Sequence, residues 1–245
     1  MIDTILFDLD DTLLGNDMQI FIPRYFALLG EHARDLMARD AFIQALLAST
    51  GAMVRNGDTA VSNRDAFWQD FNRRTGLDPQ TLEPFFEQFY QTAFHRLAEV
   101  TQPRPFVPDL LRACFAQGLQ VVIATNPLFP RTAIEARLIW AGVPVSDYPY
   151  ALVTTYENMH AAKPHPAYYR EILAKVGADP ANAIMVGDDW RNDIAPAAAV
   201  GLHTYWVCSP GAAPPDPRLA TGSGALETFF HKLLVGWLAQ IAVSA

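Results

Sequence analysis

Five short apolar segments punctuate the chain: TILFDLD (residues 4–10), LQVVIAT (119–125), ALVTTY (151–156), AIMVGD (183–188) and LHTYWV (202–207). Each is rich in β-branched or aromatic side chains, which predicts a buried strand. Between them the apolar positions take helical spacing. PDLLRACFAQG (108–118) and PAYYREILAKVG (166–177) each end in a glycine, where a helix C-cap favours one. Strands that alternate with helices predict an α/β, Rossmann-like parallel sheet with right-handed helical crossovers covering both faces.

One region breaks the alternation. Residues 17 to about 100 contain no convincing strand but carry helix-spaced aromatics, among them Phe67, Phe71, Phe85, Phe86, Phe89 and Phe94. The segment is too long for a connecting loop, so a separate helical insertion is expected, with residues 1–16 and 101–245 forming the α/β core and 17–100 the insertion. The prolines of QPRPFVP (102–108) disfavour both helix and ladder, which suits a hinge or linker. A turn-rich stretch, SPGAAPPDPRLATGSG (209–224), leads to a final amphipathic helix from about Ala225. No internal repeat is evident.

Composition narrows the setting. With 245 residues, 51% of them hydrophobic, the chain can bury one sizeable core, or one core and a smaller unit. The 18 Lys and Arg against 26 Asp and Glu give a formal charge of -8, and no basic run interleaves with aromatics, so no nucleic-acid partner is expected. Any anionic ligand must then be held by local chemistry. The two cysteines, Cys114 and Cys208, form no CxxC pair and no zinc-spaced cluster with histidine, which points to a reducing compartment. The N-terminus carries no secretory pattern, and the apolar stretch LLVGWLAQIAV (233–243) is too short to span a bilayer. A soluble cytoplasmic protein without a membrane partner is expected; oligomeric state is left open.

In an open parallel sheet, ligands bind outside the C-terminal strand ends. The first predicted strand carries Asp8 and Asp10 there, the second Thr125 and Asn126, and the fourth Asp188, followed by Asp189 and Asp193. Lys163, in AKPHP after the third, is biased away from helix by Pro164 and sits just before a helix that Pro166 suits. Clustered carboxylates repel, so a divalent cation is implied, and oxygen-only ligands favour Mg2+ over zinc. Metal, ammonium, hydroxyl and amides together describe a receptor for a phosphoryl group. An ionised Asp8 could attack phosphorus, with Asp10 protonating the leaving oxygen and then activating water.

DLDDTLL, the strand ending in Thr125, Lys163 before proline, and GDDWRND resemble, in order, the four motifs of the haloacid dehalogenase superfamily of hydrolases. The resemblance is to its phosphatase-like members with a C1 cap. It implies Asp8 as nucleophile and metal ligand, and Asp10 as general acid and base with its backbone carbonyl on Mg2+. It further implies that Thr125, Asn126 and Lys163 bind phosphoryl oxygens and that Asp188 completes the metal ligands, with Asp193 or Asp189 in support. The helical insertion would be the C1 cap that closes over the pocket and selects substrate. One departure stands out: many relatives have a glycine shortly before the lysine, where this chain has His160, Ala161 and Ala162.

Plainer roles compete at several positions. Asp11 and Thr12 suit a turn, and Asp193 could cap the helix IAPAAAVG as readily as serve a site. Aromatics of the insertion suit a core; Arg55, Arg64, Arg73, Arg74 and His95 suit a solvated face. His165 and Cys114 are read as structural. The leading expectation is a Mg2+-dependent phosphatase for a small phosphorylated metabolite. Its rivals are a sugar-phosphate mutase or phosphotransferase, a 2-haloacid dehalogenase, which Asp10 and GDDWRND disfavour, and a non-catalytic regulator that binds phosphorylated ligands.

Overall fold

The computed structural model describes residues 1–241; the last two residues of the apolar 233–243 stretch lie outside them. Eight strands occur among the described residues: β1 (Thr4–Phe7), β2 (Leu14–Gly15), β3 (Gln102–Pro103), β4 (Gln120–Ile123), β5 (Leu152–Val153), β6 (Ala183–Gly187), β7 (His203–Val207) and β8 (Gly222–Gly224). Six of them form a parallel sheet in the order β5-β4-β1-β6-β7-β8. The five apolar segments all supply strands. β8 lies in the stretch read as turns, because its Gly-Ser-Gly composition presents no apolar side chain to signal it.

Side-chain alternation along the strands builds two cores. Ile5, Phe7, Val121, Ile123, Ile184 and Val186 point to one face, while Leu6, Val122, Ala124 and Met185 point to the other. The register places Phe7 beside both Ile123 and Val186, so β1, β4 and β6 end level and deliver the residues that follow them to one edge.

Between β2 and β3 the chain is helical: α1 (Met18–His32), α2 (Arg39–Val54), α3 (Asn63–Thr75), α4 (Pro79–Gln91) and a tight turn of helix over Ala93–Val100. Asp17, Ser62 and Asp78 cap α1, α3 and α4 with their side chains, and Gly76 ends α3 in the left-handed conformation. Phe21, Phe42, Phe71, Phe89 and Phe94 are fully buried in a third cluster, which reaches Ala133 and Ala136 of α6 (Arg131–Trp140), the helix after α5 (Val107–Ala116). The aromatics thus build a core, as their spacing suggested.

α5, α6 and α9 (Leu226–Leu234) cover one face of the sheet, and α7 (Pro166–Val176) with the short α8 (Ala195–Ala198) covers the other. The single C-terminal helix expected from Ala225 breaks at Gly236, whose φ is 77°, before α10 (Trp237–Ile241). The prolines of 102–108 also act differently from expectation. Pro103 joins an antiparallel ribbon opposite Leu14, and Pro108 lies in the first turn of α5, where a missing N–H is harmless.

Candidate active site

The β1 ladder stops at Phe7, although the Asp8 N–H still donates to the Val186 carbonyl at 2.9 Å. A turn follows in which Asp11 takes φ 56° and its Oδ1 accepts from the Asn16 N–H at 2.9 Å, so Asp11 stabilises the turn. Regular strand geometry would group Asp8 with Asp10. The turn separates their partners instead. Asp8 Oδ1 accepts from Lys163 Nζ at 2.6 Å, whereas Asp10 is held by Asn16 Nδ2 at 2.8 Å on Oδ1 and by Arg137 Nη1 on Oδ2.

Lys163 spans two acids, with Nζ 2.6 Å from Asp193 Oδ1 as well. Its own N–H donates to Asn126 Oδ1 at 3.2 Å, tying the two loops together. The Thr125 carbonyl accepts from the hydroxyls of Thr154 at 2.7 Å and Tyr168 at 2.8 Å, which anchors the end of β4. In the segment before Lys163, the N–H groups of His160 and Ala161 both donate to the Glu171 carboxylate. A side-chain bond from α7 fixes that loop.

After β6, Asp188 Oδ1 accepts from the Thr12 hydroxyl at 3.2 Å, and the Asp188 carbonyl accepts from Trp206 Nε1 at 2.8 Å. The capping reading of Asp193 does not hold. Its side chain is 1% exposed, accepting from Lys163 on Oδ1 and from the Asp189 N–H on Oδ2 at 3.0 Å. Asp189 is the residue that caps, its carboxylate accepting from the N–H groups of Arg191 and Asn192. Gly187 admits Asp193: a Cβ there would lie 2.3 Å from Asp193 Oδ2.

Carboxylate oxygens of Asp8, Asp188 and Asp193 lie within 4.8 Å of one another. Burial would push the Lys163 ammonium down, but Asp193 and Asp8 reverse this and hold it protonated. Burial pushes Asp8 up, offset in part by Lys163 and reinforced by the neighbouring acids. The Asp188 carboxyl is raised to about 7, first by burial and then by Asp193 and Asp11. Three acids therefore crowd one ammonium that pairs with only two of them, Asp8 and Asp193, and their hard oxygen donors fit a divalent cation of the Mg2+ type. Asp8, Thr125, Asn126, Lys163, Asp188 and Asp193 all gather on this edge, with Asp10 beside them.

Arg137 and Asn16 were missed from sequence. Arg137 is fully buried on α6, where it shares the apolar stripe of Ile134, Leu138 and Ala141. A charge on such a stripe signals a buried partner.

The family model of the haloacid dehalogenase-like hydrolases matches residues 2–201. The chain belongs to that family of hydrolases. Over 156 residues it is 29% identical to the human haloacid dehalogenase-like hydrolase domain-containing protein 3, a match covering 63% of this chain and 58% of that protein. Pyrophosphatase PpaX of Bacillus pumilus is 26% identical over 84% of this chain and 83% of its own length. Phosphoglycolate phosphatase of Yersinia pestis is 27% identical over 80% and 77%. Among solved structures, a HAD phosphatase from Thermococcus onnurineus has a TM-score of 0.60 at 20% identity, covering 96% of this chain and 98% of its own. A 2-haloacid dehalogenase from Pseudomonas syringae has a TM-score of 0.63 at 22% identity, covering 97% and 100%. At these identities the structural likeness defines the fold and does not choose between the two chemistries.

Proposed function

We propose that the protein is a Mg2+-dependent phosphatase that hydrolyses a phosphomonoester of a small metabolite through an aspartyl-phosphate. The observation that carries this reading is Lys163 Nζ, 2.6 Å from both Asp8 and Asp193, beside an Asp10 that keeps separate partners. The phosphatase names of two relatives agree with it.

Asp8 would attack phosphorus, and the bond to the ester oxygen would break as Asp10 protonates that oxygen. Asp10 would then take a proton from water as the water oxygen attacks the aspartyl-phosphate, freeing inorganic phosphate and restoring Asp8. Thr125, Asn126 and Lys163 would hold the phosphoryl oxygens through both steps. Asp8, Asp188 and the backbone carbonyl of Asp10 would hold Mg2+, with Asp193 in support. When bound, the ion neutralises charge on the phosphoryl oxygens. Residues 17–100 would form a cap over a core of 1–16 and 101–245, in a cytoplasmic protein. No helix among the described residues is long and apolar enough to cross a membrane.

The test is phosphate release from a panel of phosphomonoesters with Mg2+ and with EDTA. Metal-dependent release that Asp8→Asn abolishes is the expected result. Silence from folded protein, or halide release from 2-haloacids, overturns it.

A further inference from the structure

Between the inserted helices and the core lies a cavity of about 230 Å3. Tyr25, Leu46, Trp68 and Phe86 of α1 to α4 face Phe129 and Tyr156 of the core loops across it. Its volume exceeds the ~150 Å3 of an engineered apolar cavity that takes up benzene. Among the described residues no Lys, Arg, His, Asp or Glu lines it.

The cavity adjoins the site just described. Phe129 follows Asn126 by three residues, and the Arg137 guanidinium lies 4.7 Å over its ring while Nη1 holds Asp10. Helix α3, which carries Trp68, is pinned to the loop of Lys163: the Asn63 N–H donates to the Met159 carbonyl at 2.8 Å, and Asn63 Nδ2 donates to the Ala161 carbonyl at 3.1 Å. Cavity and phosphoryl site thus share their supporting loops. Leu47, one wall residue, is 51% exposed, so the cavity reaches solvent there.

The polar groups in the wall are neutral. The Tyr25 and Tyr90 hydroxyls bond each other at 2.9 Å, and burial raises both pKa values, that of Tyr25 to about 12. The Thr50 hydroxyl donates to the Leu46 carbonyl. The buried Trp68 indole N–H makes no hydrogen bond of normal geometry and sits near the Tyr156 hydroxyl. A second anion placed here would be desolvated without a counter-charge.

We propose that this cavity receives the organic group of the phosphorylated ligand, and that this group is uncharged and apolar, an aryl ring or an alkyl chain. The inference rests on the phosphatase reading and deepens it. It sets this chain apart from the activities for which two relatives are named, because phosphoglycolate carries a carboxylate and pyrophosphate a second phosphate.

The test compares methyl, butyl and hexyl phosphate with phosphoglycolate and pyrophosphate, all with Mg2+, and separately measures methylphosphonate and hexylphosphonate binding by calorimetry. Each buried methylene contributes roughly fourfold in affinity. The expected kcat/KM for hexyl phosphate is at least about thirtyfold above methyl phosphate, with phosphoglycolate and pyrophosphate below butyl phosphate. In Leu47→Asp the hexyl-to-methyl ratio should fall at least about fivefold. Turnover with a flat chain-length profile, or a preference for the two competitors that carry a second anionic group, overturns the inference and leaves the phosphatase standing. If nothing is hydrolysed, tighter hexylphosphonate binding upholds the apolar site and removes the phosphatase, whereas equal phosphonate affinities remove both.

Discussion

Arg137 and Asp10, 127 residues apart in sequence, form an ion pair in which the guanidinium is fully buried and Asn16 Nδ2 holds the other carboxylate oxygen. The pair fixes where Asp10 can present a proton. If Asp10 protonates the leaving oxygen, its misplacement should matter most when that oxygen is a poor leaving group. Arg137→Met is expected to lower kcat by roughly 10²-fold for alkyl phosphates and by less than about fivefold for an aryl phosphate with a good leaving group. Arg137→Lys should restore part of the loss. Plotting kcat against leaving-group pKa for each variant checks this; a uniform loss across the series would mean that Arg137 only supports the fold.

Asp8→Asn should separate activity from stability. Turnover is expected to fall on the order of 10⁴-fold or more, since the nucleophile is lost. Asn Oδ1 can still accept from Lys163, and one of several crowded acids becomes neutral. In EDTA the variant should therefore be more stable than wild type, by about 1 kcal/mol. Urea denaturation of both proteins reads the sign, and a less stable variant would show that the Lys163 pairing outweighs the repulsion.

The acid cluster predicts an unusual pH response. The folded Asp188 carboxyl titrates near 7, above its ordinary 3.8, so between those values the folded state holds a proton that the unfolded chain has released. Stability without metal must then fall as pH rises through that window and level off above it. Mg2+ needs the ionised carboxylate, so its stabilisation grows over the same window. The gap in unfolding free energy between millimolar Mg2+ and EDTA should widen by on the order of 2 kcal/mol between pH 5 and pH 8. A gap that stays constant would place the cation elsewhere.

The sheet was legible in sequence because strands buried on both faces are continuous apolar runs, and Leu6, Val122 and Met185 are fully buried as that pattern requires. The site was legible because short loops leave the strand ends, so residues after β1, β4 and β6 have little freedom to be anywhere else. What failed depended on the path of the chain in space. Asp189 and Asp193 look alike in GDDWRND, and only the turn over Trp190–Ile194 decides that Asp189 caps while Asp193 folds back to Lys163. Arg137 carries no motif, and β8 carries no side chain larger than serine. The cavity is a property of four helices meeting two loops, which no single segment encodes.

Gly187 gives the sharpest test of that folded-back path. In Gly187→Ala the new methyl would sit 2.3 Å from Asp193 Oδ2 and 2.5 Å from its Cγ, distances that no side-chain adjustment of a fully buried acid absorbs. Asp193 must move, and Lys163 then loses one of its two acids while remaining buried. The loss of one partner from a buried ion pair destabilises by roughly 3 kcal/mol. Turnover should fall at least about 10²-fold, because Lys163 no longer holds its place beside Asp8. The second change Asp193→Gly removes Oδ2, Cγ and also the Cβ that would lie 2.7 Å from the new methyl, so Gly187→Ala/Asp193→Gly should be no less stable than Asp193→Gly alone. A double-mutant cycle on unfolding free energy checks this coupling; additive losses would show that Gly187 is required for some other reason than admitting Asp193.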